Sequence, residues 1–162
     1  MAKGYDTKRS RGEIKEVQES LEKKKSELSG LERNKQELMD AMNSVLGAEL
    51  DEKTKEIVHQ AIDDALEKNK EQGENLNDEM NEGFSRLEEV IKETDRGRQS
   101  AINEKKSLEG KQKIVERFGI GNSLEKGINE LDNNISELES ISDEARDVMK
   151  ELSSVAQKLG ML

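Results

Sequence analysis

A chain of 162 residues with 40% charged, 31% hydrophobic and only 2% aromatic side chains has the profile of long solvated helices, not of a compact core. Its aromatic residues are Tyr5, Phe84 and Phe118, too few to line a large ligand cavity with rings, and without cysteine it can form no disulfide, thiolate metal site or thiol redox centre. The net charge of −10 lies wholly in residues 51–162, because residues 1–50 hold ten Lys or Arg and ten Asp or Glu, and that acidity argues against nucleic acid as a partner.

The N-terminus, Met1 to Arg11, is polar and basic with no apolar stretch behind it. Nowhere is there a run of about 18 apolar residues. These features predict neither a cleavable signal peptide nor a membrane span, hence a cytoplasmic protein or one exported without a cleaved leader. Lys3, Lys8, Arg9 and Arg11 read as part of a solvated, frayed tail over residues 1–8, not as a phosphate-binding arm.

The first predicted helix covers residues 9–46. Its apolar residues step by three and four, Ile14, Val17, Leu21, Leu28, Leu31 and Leu38, with Lys24 and Lys35 as polar interruptions. Ser10 followed by Glu13 matches a reciprocal N-terminal cap. Gly47 is placed to close the helix in a left-handed conformation, and Asp51 to cap the next one.

The second predicted helix covers residues 52–118. Its seam is weaker, running through Ile62, Leu66, Leu76, Met80, Leu87 and Val90 with Asn69, Gly73, Gly83, Thr94 and Gly97 at polar or glycine positions. Each interior glycine costs about 1 kcal/mol relative to Ala, so packing must hold the helix; the alternative to a continuous helix is a break at Gly97, between Arg96 and Arg98, or at Gly73, which would give a shorter bundle of four or five helices. Ile57, Val58, Ala61, Ile62, Ala65 and Leu66 form a stripe wider than one seam. Phe84, Leu87, Val90 and Ile91 widen it again and form the candidate interaction surface.

Phe118-Gly119-Ile120-Gly121-Asn122-Ser123 is the clearest stop. Asn122 with Glu125 is the expected cap of a third helix over residues 123–159. That helix has a regular seam, except for consecutive three-residue steps at Ile135, Leu138 and Ile141 that would overwind a coiled coil. At about 1.5 Å per residue the three helices span roughly 57, 100 and 55 Å. The two short helices together match the long one. The expected fold is therefore all-α: a single elongated domain of antiparallel coiled-coil hairpins, with one long central helix flanked by two shorter ones whose free ends meet near its middle.

Catalytic chemistry finds few residues. His59 is the single imidazole, and without Cys or a nucleophilic Ser nearby it reads as a surface or seam residue. Asp63 with Asp64, Glu88 with Glu89 and Asp143 with Glu144 are adjacent in sequence, so on a helix they diverge by about 100°. Glu67, Glu71 and Glu74 share a face, but nothing in the sequence completes a di-metal constellation. No enzyme activity, cofactor or metal is expected.

Heptad helices, arms of roughly forty residues, acidity and the lack of a signal peptide resemble the small helical proteins of bacterial type VII secretion, the WXG100 and LXG group and their helical partners. The Trp-x-Gly turn is missing. Leu46-Gly47 and Phe118-Gly119 stand at the turns, while Leu28-Ser29-Gly30 and Leu108-Glu109-Gly110 fit Leu-x-Gly. The resemblance implies export as a helical complex with hetero-oligomeric partners. The sequence thus predicts a non-enzymatic helical interaction or scaffold protein that pairs with another helical chain, or alternatively a coiled coil that assembles with itself. In neither case is a nucleic acid or membrane partner expected.

Overall fold

The computed structural model describes residues 6–119 and 124–162. They form three helices, α1 (Thr7–Leu46), α2 (Glu52–Arg117) and α3 (Glu125–Gly160), with no strand among the described residues. The protein is all-α. The stretch of α2 across Gly73, Gly83, Gly97 and Gly110 is helical throughout, so the alternative of a break at Gly97 or Gly73 does not occur.

Local signals explain most helix ends. Asp6, not Ser10, caps α1: its Oδ1 accepts from the Arg9 amide at 3.1 Å, which starts the helix two residues early, while Ser10 is buried. Asp51 caps α2 as expected, accepting from the Thr54 amide at 2.7 Å. Gly119 closes α2 with φ +68°, where a Cβ would be strained. Gly47 keeps a negative φ, contrary to expectation, because α1 unwinds through a tighter turn in which the Ala48 amide donates to Val45 O at 3.2 Å. The proposed Asn122 cap lies outside the described residues.

The cap of α2 makes a pH-dependent prediction. The Thr54 hydroxyl and amide hold the Asp51 carboxyl below its ordinary pKa, so this contribution is present above the unfolded-state value near 4 and is lost as pH falls through the lower folded value. Asp51→Ala is expected to lower the melting temperature at pH 7 and to have no effect at about pH 2, as read by circular dichroism. An equal loss at both pH values would contradict the cap.

The described residues divide into two compact units. Unit one holds the chain through Val17 together with Ser85–Met149, and unit two holds Gln18–Phe84 with Lys150–Leu162. Each unit therefore draws on all three helices. In unit one Glu16 of α1 pairs with Arg86 of α2, Arg98 of α2 with Glu139 of α3 at 3.4 Å, and Arg11 of α1 with Glu137 of α3 at 3.7 Å. In unit two Asn69 of α2 bonds to Leu31 of α1, and Lys25 of α1 reaches Glu151 of α3 at 3.2 Å, a contact that raises the lysine pKa.

Two helices sharing one narrow seam would leave little surplus over chain entropy. A third helix changes that balance. The ends of α1 and α3 do not merely meet, as the length match suggested. Inside unit two a segment of α1 runs parallel to a segment of α3, 126 residues apart at Lys25–Glu151 and at Lys35–Met161, with α2 antiparallel to both, and in unit one α1 touches α3 at Arg11–Glu137.

The cores follow from this. In unit one Ile14, Val17, Leu87, Val90, Leu138 and Ile141 are buried, and in unit two Leu21, Leu28, Leu76, Met80, Leu152 and Val155. Gly73 of α2 leaves room for Leu162, just past the end of α3, since a Cβ there would lie 2.8 Å from Leu162 Cδ1. Asn69 is buried and donates to Leu31 O at 3.0 Å, a polar contact that fixes the register of α1 against α2. Thr94 satisfies its buried hydroxyl inside α2, on Val90 O at 2.8 Å.

The irregular step in α3 acquires a physical reason. It falls where α1 joins α3 at Arg11–Glu137, so α3 must turn from one neighbour to two, and both Ile141 and Ser142 become buried. The Ser142 hydroxyl has no hydrogen-bond partner among the described residues. Ser142→Ala is expected to stabilise the protein by about 1 kcal/mol in chemical denaturation, because it removes an unsatisfied buried hydroxyl. A loss of that size would show that the hydroxyl is bonded.

Candidate interaction site

The candidate surface read from sequence does not hold together. Leu87 and Val90 are 0% exposed, while Phe84 and Ile91 are half-buried. Leu87 and Val90 are therefore core residues, not a docking patch. Met80, Leu87, Thr94 and Ala101 are all buried at strict seven-residue intervals, so Leu87 stays in phase with the seam where sequence alone suggested a widening.

The chemistry-bearing residues stay apart. His59 Nδ1 lies 3.0 Å from Asp63 Oδ2 on an exposed face, and Asp64 accepts from Gln60 at 2.9 Å. Glu67, Glu71 and Glu74 are exposed, and no group of three or more metal-ligating side chains converges among the described residues. No described helix is long and apolar enough to cross a membrane.

Apolar exposure lies elsewhere. In unit two no residue of α1 beyond Leu31 and none of α2 before Ile62 is buried. This stretch is a two-helix arm whose seam residues Leu38, Met42, Val45 and Val58 are only half-covered. On it Leu46, Leu50 and Ile57 are exposed, Leu46 and Ile57 at 64% each, while Met39, also exposed, stands at its base, where Lys158, Met161 and Leu162 still line a groove with it. An open groove of about 340 Å3 runs between its helices past Leu38, Ala65 and Asn69.

Unit one has a corresponding arm. No residue of α2 after Ala101 and none of α3 before Leu138 is buried among the described residues, although Leu108 and Gly127 approach closely and Lys105 bridges to Asp132. Gln112 Oε1 accepts from the Leu124 amide at 3.2 Å, tying the start of α3 to α2. Ile114 is 56% and Phe118 75% exposed. No family model, curated protein or solved structure matches the chain.

Sequence reasoning expected a two-helix cross-section along the whole length and so did not separate the arms from the three-helix segments. The missing information was the overlap of α1 with α3, which decides where a seam has two neighbours and where it has one. The wide stripe at Ile57 to Leu66 was a partial signal: Ile62 is buried, but Ile57 is exposed.

Proposed function

We propose that the chain is a non-enzymatic helical interaction protein, an adaptor or scaffold of antiparallel coiled-coil hairpins with α2 common to both, whose two-helix arms are completed by a helix from another chain. The observation that carries this reading is the contrast within each unit between a three-helix core and a two-helix arm with exposed Leu46 and Ile57 or Ile114 and Phe118. An arm with one packed face and further apolar side chains in water is a seat for a third helix. A secretion-targeting role, suggested by the type VII resemblance alone, would make that partner a helical chain exported with this one.

The lack of cysteine makes the test site-specific. Met39→Cys and Ile114→Cys, each labelled with an environment-sensitive dye, are expected to report water at nanomolar concentration of the full chain. A buried emission from both dyes at that dilution would contradict open arms.

A further inference from the structure

The two arms differ in charge as well as in position. Between residues 36 and 68 stand nine Asp or Glu against three Lys, and Glu37, Glu49, Glu56 and Glu67 are exposed with no cation partner among the described residues. Along α2 between residues 105 and 117 stand five Lys or Arg against two Glu. There Lys106, Lys111, Lys113 and Arg117 are exposed and likewise without an ion-pair partner among the described residues. The α3 side of that arm is acidic, with Asp132 taken by Lys105 and Glu137 by Arg11 and Glu125 and Glu130 exposed, so the positive excess belongs to the α2 face alone.

Apolar side chains sit within each charged field. Ile114 and Phe118 are one helical turn apart, beside Lys111 and Arg117, while Met39 and Leu46 are two turns apart beside Glu37 and Glu49. Complementary charge around exposed apolar anchors is the arrangement of a docking interface. Resting on the interaction reading above, we infer that the acidic α1–α2 arm docks against the basic α2 face of the α2–α3 arm of a second copy of this chain. An anionic polymer or lipid surface would engage the basic face and leave the acidic arm without an occupant. A second copy accounts for both.

The two surfaces in this contact are different, so each copy keeps one unused arm after pairing. Assembly then continues head to tail unless its rotation closes a ring. Because the steering charges are exposed, salt weakens the contact.

Sedimentation velocity of the full chain tests this. The wild type is expected to grow beyond its 18.3 kDa monomer as concentration rises, with at least about tenfold weaker association when salt is raised from about 0.05 M to about 0.5 M. The triple variant Glu37→Lys, Glu56→Lys, Glu67→Lys and the triple variant Lys106→Glu, Lys111→Glu, Lys113→Glu should each remain monomeric with unchanged helicity. Mixed in equal amounts they should assemble again, since both contacts between unlike copies are then of opposite charge. Salt dependence of the wild type supplies the test if a variant misfolds.

A wild type that stays monomeric while binding phosphatidylserine vesicles or duplex DNA overturns the inference. So does either triple variant assembling alone, or association insensitive to salt. If the wild type is monomeric and the dyes at residues 39 and 114 report water, self-docking fails while the interaction reading stands. If those dyes report burial in the monomer, both fail.

Discussion

Leu138→Asp is expected to destabilise the protein by about 4 kcal/mol or more, because the new carboxylate would have to be desolvated at a position with 0% exposure and no cationic partner in the seam. Leu28→Asp, at 4% exposure in the other unit, should be similarly severe. His59→Ala serves as the control. Its side chain is 53% exposed and pairs with Asp63 one turn away, so its removal should change stability by less than about 0.5 kcal/mol. Thermal melts of the three variants separate the outcomes, and equal losses would mean that the seams are misassigned.

Leu87→Ala should cost about 2–5 kcal/mol, the range for truncating a fully buried leucine, and should leave association unchanged once the variant is folded. Phe84→Ser, at a half-buried position, should cost less. The pair discriminates between core and docking surface at the centre of α2. Chemical denaturation followed by light scattering reads both properties. A Leu87→Ala protein with an unchanged unfolding midpoint but weaker self-association would restore the central patch as an interface.

Helix existence was legible because the forces that start and stop these helices are local. Asp51 and Gly119 act on amides and dihedrals within a few residues, and the three- and four-residue steps place Ile14, Val17 and Leu21 on one face whatever their partner. The cap of α1 was misread for an equally local reason. Ser10 and Asp6 are both competent caps, and burial of Ser10 removes it from that competition.

Neighbour identity was not legible. Leu31 and Leu38 are equivalent in sequence pattern, yet only Leu31 is buried, because coverage depends on where α3 runs and not on the leucine itself. Lys35, expected as a mere interruption of the seam, donates to the Met161 carbonyl at 3.0 Å near the end of the third helix. The arms follow from such long-range pairings, so no local window of sequence displays them. The charge contrast between the arms is present in the sequence, but a boundary at residue 50 cuts the acidic arm in two and hides it.

Hydrogen exchange of the full chain at high dilution most directly tests whether the core lies where three helices meet and the arms are open. Amides of residues 14–31, 69–101 and 138–159 are expected to exchange orders of magnitude more slowly than those of 36–46, 52–61 and 105–117, since local opening is governed by buried contacts. Protection that is uniform along α2, with residues 105–117 as slow as residues 80–94, would contradict it.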